Sequence, residues 1–148
     1  SCEEALGETP SIAGMNVLVA EDNALNGEIA QFILEGAGAR VTLVENGARV
    51  VEVFEASAPY AFDAVLMDVM MPVMDGLEAA RRIRGLDHED AKSVPIIATT
   101  ANAFTDDAER SREAGMDEHL SKPLDSEQLV RELARFRAAR LGGPISKE

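Results

Sequence analysis

The chain has 148 residues, 46% of them hydrophobic, with 14 Lys plus Arg against 27 Asp plus Glu and a formal net charge of −13. That length and apolar content favour one folded domain with a real core and exclude a disordered chain. The acidic balance argues against nucleic acid as a partner, since phosphate binding needs clustered cations, and no apolar run approaches the roughly 18 residues that direct membrane insertion requires.

Residues 1–14 carry Gly, Pro, Ser and Glu without periodicity and read as a linker or tag remnant. Their acidity, without a basic start and an apolar centre, does not fit a signal peptide. The start at Ser1 in place of Met suggests a fragment of a longer protein. The single cysteine, Cys2, can form no internal disulfide, which suits a reducing cytoplasmic setting.

From Met15 the pattern alternates between short apolar runs and helical spacings, and residues 15–137 are expected to form the folded unit. Residues 15–20 predict a strand buried on both faces. Residues 24–37 place Leu25, Ile29, Phe32 and Ile33 at helical spacing, with Gly36 and Gly38 near the end. Residues 40–44 predict a second strand and 48–58 a second helix, preceded by Asn46-Gly47. The third strand spans 62–67 and ends at Asp68. The loop MMPVMDG follows, and Asp75 with Glu78 reads as a capping box opening a third helix. Residues 85–93 are polar and predict a solvated connection. Strand four covers 94–100, and a helix capped by Thr105 ends at Gly115. Strand five covers 117–121. Asp125 and Gln128 form a second candidate capping box, before Leu129, Val130, Leu133 and Phe136 on one helical face. Residues 138–148 read as a flexible tail. Five β–α units in alternation predict an α/β fold with a doubly wound parallel sheet.

Three fragments stand at the ends of strands: Glu21-Asp22, Asp68 and Lys122-Pro123. The carboxyl ends of strands are where open α/β sheets bind ligands. Three carboxylates gathered there repel one another, by about 4 kcal/mol for each pair of charges about 4 Å apart at an effective dielectric near 20. A bound cation relieves that repulsion, so the pattern points to a metal site.

The fragments VLVAEDN, VLMDVMMPVMDG, PIIATTANA and HLSKPL, in this order and at these separations, resemble the receiver (response regulator) domain of two-component signalling. The resemblance runs from about Met15 to Phe136. It implies a flavodoxin-like fold with strand order 2-1-3-4-5. It also implies that Asp68 accepts a phosphoryl group and that Asp22 and Asp68 bind Mg²⁺ together with the Met70 carbonyl, Mn²⁺ being able to substitute. Glu21 would hold one of the ion's waters. A hard octahedral ion suits this all-oxygen set. Lys122 would neutralise phosphoryl charge, Thr100 would hydrogen-bond a phosphoryl oxygen, and Pro123 suits a cis peptide after the lysine. Thr99 should point to the opposite side of its strand. His119 stands where many relatives carry Tyr or Phe, so Thr100 and His119 would form the conformational switch. An imidazole there is smaller and can be charged.

The resemblance further implies a donor phosphohistidine, on a histidine kinase dimerisation/phosphotransfer domain or a histidine phosphotransfer protein. Leu25, Pro123 and Leu124 are the expected docking residues. The domain would catalyse its own phosphoryl transfer and dephosphorylation as a monomer or weak dimer, without being a turnover enzyme. The AEDN opening resembles receivers of hybrid sensor histidine kinases, so the parent chain could itself be a membrane-attached kinase. The alternative is a stand-alone single-domain response regulator or phosphorelay intermediate. Two rival functions differ in kind. A metal-dependent phosphatase resembling the haloacid dehalogenase group would want a second acid where Met70 stands, and a pure docking module would not need the acids, threonine and lysine together. Met67, Met70, Met71 and Met74 read as gap fillers, and Asp87, His88, Glu89 and Asp90 as a wet charged run.

Overall fold

The central aliphatic runs form strands because they are buried on both sides, the edge strands being partly exposed, and a 13-residue helix joins the first two as a parallel pair. The computed structural model describes residues 11–101, 109–110 and 112–142. Its strands are β1 (Asn16–Ala20), β2 (Arg40–Val44), β3 (Ala64–Asp68), β4 (Ile96–Thr100) and β5 (Glu118–Ser121). All pair in parallel, in the order β2-β1-β3-β4-β5. The helices are α1 (Ala24–Gly36), α2 (Gly47–Ala56), α3 (Gly76–Arg84) and α4 (Ser126–Gly142). The fold is therefore the expected α/β doubly wound sheet.

Residues of alternate parity on each strand feed two cores. Leu18, Val65, Met67 and Ile96 pack under α2 and α3 with Phe54 and Ile83. Val17, Val19, Leu66 and Ile97 pack under α1 and α4 with Leu34, Leu129 and Leu133. Each such side chain contributes about 1.5–3 kcal/mol when fully buried. The central strands β3 and β4 are buried at every position, which leaves only their ends free for chemistry.

Helix α1 covers the residues expected of it. Its buried face is Gly27, Ala30 and Leu34, whereas Leu25, Ile29 and Phe32 are 64%, 41% and 80% exposed. The apolar spacing was real, but Gly27, Ala30 and Leu34 face the sheet while Leu25, Ile29 and Phe32 face outward.

The 85–93 segment is not a solvated connection throughout. Asp90 and Ala91 are fully buried, and His88 Nδ1 lies 2.7 Å from Asp90 Oδ1. His88 Nε2 lies 2.9 Å from the Ser57 carbonyl at the end of α2, and its ring packs on Phe54. Asp87 and Glu89 are exposed, as are Gly85, Lys92 and Ser93. Arg84 then closes the region: its guanidinium donates to the carbonyls of Ala91, Val94 and Gly115 and pairs with Asp117 at 2.9 Å. One cation thus ties the end of α3 to the starts of β4 and β5.

The ends of the folded unit also differ from expectation. Ile12, inside the presumed linker, is fully buried, and α4 continues through Gly142, past residue 137. Asp75 caps α3 by accepting the Glu78 N–H at 2.9 Å, but the Glu78 carboxylate reaches Arg81 and Arg82 and does not close a capping box. Asp125 accepts the Glu127 N–H at 3.0 Å and does not pair with Gln128. The Thr105 cap lies outside the described residues.

Candidate functional site

The chain leaves β1 at Ala20, and its next residue is fixed at both ends. The Glu21 N–H donates to the Val44 carbonyl at 3.0 Å, and its carboxylate accepts the Asn23 N–H at 3.1 Å. Asn23 then caps α1 by accepting the Asn26 N–H at 3.0 Å. Two acids are thereby held at the end of the sheet before the helix begins: Glu21 is buried and Asp22 exposed.

Asp68 is the last residue of β3 and is only 4% exposed. One of its oxygens accepts the Met70 N–H at 3.2 Å. The loop after it is drawn close to its neighbours. The Val69 N–H donates to the Thr99 carbonyl at 3.0 Å, and the Gly47 N–H to the Met74 carbonyl at 3.0 Å. A Cβ on Gly47 would collide with that Met74 carbonyl, and one on Gly76 with the Asp68 carbonyl, so both turns need glycine. Met70 lies at the mouth with 73% exposure.

The third contribution comes from the far side. The Lys122 N–H donates to the Thr100 carbonyl at 2.8 Å, and the Lys122–Pro123 bond is cis. Lys122 Nζ lies 3.0 Å from Asp68 Oδ2 and 3.1 Å from Glu21 Oε1. Carboxylate oxygens of Glu21, Asp22 and Asp68 all lie within 4.8 Å of one another. Burial pushes the Glu21 carboxyl up from its usual range, against the opposing Asn23 N–H and Lys122. For Lys122 burial acts downward, but the hydrogen bonds and charges of Asp68 and Glu21 outweigh it and raise the ammonium.

The other expected site residues fall around this cluster. Thr100 is buried at the end of β4, one residue beyond the register partner of Asp68, and His119 is half-buried on β5 opposite Ala98. Leu25 is exposed on α1, while exposed Pro123 and half-buried Leu124 share a cavity wall with Ile29 of that helix. Sequence reading did not single out Ala30 or Asn26, which line the same cavity, nor Arg84. For Ala30 the only signal was a small residue at helical spacing from Gly27 and Leu34.

Chemically, three converging carboxylates form an oxygen-only donor set with one exposed member, which fits a hard divalent ion open to solvent on one side. A buried carboxylate beside an ammonium and such an ion can act as a nucleophile whose developing charge is met by fixed cations.

Residues 17–134 match the response regulator receiver domain family. The chain is 34% identical over 143 residues to histidine kinase 3 of Arabidopsis thaliana, covering 84% of this chain and 14% of that kinase. The chain thus spans about a seventh of that relative's length. The receiver domain of the sensor histidine kinase PA1611 from Pseudomonas aeruginosa PAO1 has a magnesium ion coordinated in its active site cleft. It is 41% identical, with a TM-score of 0.77, over 85% of this chain and 99% of that one. The receiver domain of Ssk1 from Saccharomyces cerevisiae, crystallised with the histidine phosphotransfer protein Ypd1, is 25% identical, with a TM-score of 0.76, over 86% of this chain and 92% of that one.

Proposed function

This chain belongs to the response regulator receiver domain family of two-component signalling, and from that premise we propose that Asp68 is its phosphoacceptor. The observation that carries the proposal is the contact set at Asp68: Lys122 Nζ at 3.0 Å on one side, and the oxygens of Glu21 and Asp22 within 4.8 Å on the other. A carboxylate oxygen of Asp68 forms a bond to phosphorus while the P–N bond of a donor phosphohistidine breaks, and the imidazole leaves with the electron pair. Asp22, Asp68 and the Met70 carbonyl would hold Mg²⁺, or Mn²⁺ in its place, with Glu21 orienting its waters. When bound, the ion supplies positive charge to the transferring phosphoryl group. Lys122 supplies the remaining fixed cation, and Thr100 hydrogen-bonds the transferred group. Repositioning of Thr100, with His119 turning inward, then passes the change to the β5 edge.

The donor is a histidine on a kinase dimerisation/phosphotransfer domain or a phosphotransfer protein, docking at Leu25, Pro123 and Leu124. The yeast complex supports this partner class, and the likeness to a histidine kinase supports origin as the receiver of a hybrid kinase. The receiver unit, expected over about residues 15–137, then also takes in Ile12 and the rest of α4 and lies in the cytoplasm. Among the described residues no helix is long and apolar enough to cross a membrane.

Incubation with acetyl phosphate and Mg²⁺, read by intact mass, should add one phosphoryl group. Asp68→Asn should add none. Equal labelling of folded parent and Asp68→Asn would overturn the assignment.

A further inference from the structure

We propose that Gly47, in the first turn of α2, is a positioning residue for Asp68: it grips the 69–76 loop from outside and holds that loop in a strained turn at Val73. The inference deepens the reading of Asp68 as phosphoacceptor and rests on it for its chemical consequence.

The loop is closed at its base, where the Gly76 N–H donates to the Val69 carbonyl at 2.8 Å. Just after Asp68, the Met70 N–H donates to Asp68 Oδ1 at 3.2 Å, while Oδ2 faces Lys122. The course of the loop therefore sets the orientation of the reactive carboxylate. At the tip Val73 has a φ of 69°, and the Met74 N–H donates back to the Pro72 carbonyl at 2.6 Å. A hydrogen bond between residues two apart, around a positive φ, is the rare and strained form of the γ-turn. A β-branched residue takes up that φ only under constraint. Val73 is 81% exposed, so burial of its side chain does not offset the cost. The strain persists only if neighbouring contacts hold the backbone there.

The holding contact is at Met74. Its carbonyl accepts the Gly47 N–H at 3.0 Å, and a Cβ on Gly47 would collide with that oxygen. Met71 and Met74, on either side of the turn, are partly buried against the core that includes Val50 and Phe54 of α2. The backbone between them has no other place to put the slack than the turn at Val73. A side chain at position 47 would push Met74 away, let Val73 relax and release the Met70 N–H from Asp68.

The test follows hydrogen exchange of the Met70 amide in ¹⁵N-labelled protein with EDTA, beside urea midpoints and labelling by acetyl phosphate with Mg²⁺. In Gly47→Ala the Met70 amide should exchange about tenfold faster than in the parent, the change expected when a hydrogen bond to a charged group is lost. Labelling should slow by a similar factor. Val73→Gly accepts the positive φ without strain, and this relief outweighs the extra freedom glycine gives the unfolded chain. It should raise the urea midpoint, yet the unstrained loop should again exchange the Met70 amide faster and label more slowly. A loop that served only stability would move the midpoint and the protection together. Should Gly47→Ala fail to fold, Val73→Gly decides. An unchanged Met70 amide, faster exchange with an unchanged labelling rate, or a Val73→Gly protein less stable than the parent would each overturn the inference. The amide is read without phosphoryl transfer, so a parent that fails to label overturns the phosphoacceptor reading and leaves the grip on the loop testable.

Discussion

The Lys122 ammonium stands 3.0 Å from Asp68 Oδ2 across the end of the sheet, and its other near contact is Glu21 at 3.1 Å. One cation thus faces two buried carboxylates, with Asp22 adding a third negative charge nearby. The cluster holds together through Lys122 whenever no metal shares the load.

Lys122→Met keeps the length of the side chain and removes its charge. The fold should lose about 1–3 kcal/mol, less than the 3–5 kcal/mol typical of breaking a fully buried pair, because solvent reaches part of the lysine. Added Mg²⁺ should recover much of that loss, since an ion bound only by the folded state stabilises it. Urea denaturation with EDTA and with Mg²⁺ reads both effects. A variant as stable as the parent in EDTA would show that the lysine pair carries no stability.

The two raised groups act in different pH windows. Glu21 titrates higher in the folded state than the ordinary 4.5 of the unfolded chain, so between those values the folded state holds more protons. Stability then falls as pH rises through that window, and the cost of ionising a buried carboxyl is fully present above it. Lys122, raised above 10.5, contributes stability that persists through acid and neutral pH and disappears only as pH climbs through its folded value. Glu21→Gln keeps an oxygen for the Asn23 N–H but cannot ionise. In EDTA the parent should lose stability relative to this variant as pH rises from 4 towards neutrality. A stability difference that stays constant, or grows in the parent's favour, contradicts the assignment.

Asp90 offers a test away from the acidic pocket. It is fully buried 2.7 Å from His88 Nδ1, whereas Asp87 and Glu89 on either side are exposed. Asp90→Ala should cost about 2–4 kcal/mol, because it leaves the buried imidazole without its partner. Asp87→Ala and Glu89→Ala should each stay within about 0.5 kcal/mol. Urea midpoints for the three variants separate the cases, and equal small effects would return the whole run to the solvent.

That run shows where the sequence stopped being readable. Strand ends are local: an apolar run that breaks at Asp68 or Lys122 states its own register, so the acidic pocket could be located from the chain alone. The burial of Asp90 depends on Ser57 and Phe54 of α2, about thirty residues away, and no local pattern encodes that meeting. Helix α1 shows the same limit. Its period was plain, but which stripe faced inward was decided by space under the helix. A Cβ on Gly27 would come within 3.1 Å of Leu43, so a small residue at that position lets α1 sit close to β2.

The outward stripe of α1 leads to the last prediction. Leu25, Ile29 and Phe32 follow one another at i, i+4 and i+7, and all three are exposed. Large apolar side chains arranged this way beside a reactive pocket suit contact with a partner's helices more than they suit water. Leu25→Glu and Phe32→Ser remove apolar surface already in solvent, so stability should change by no more than about 0.5 kcal/mol. Transfer from a phosphohistidine donor should slow by about tenfold or more in Leu25→Glu, as expected for an interface anchor worth at least about 1.4 kcal/mol. Labelling by acetyl phosphate, which needs only the pocket, should keep the parent's rate. Parallel loss with both donors would mean that the substitution had disturbed Asp68 itself. Unchanged transfer in both variants would move the docking surface off this helix and onto the loop at Pro123 and Leu124.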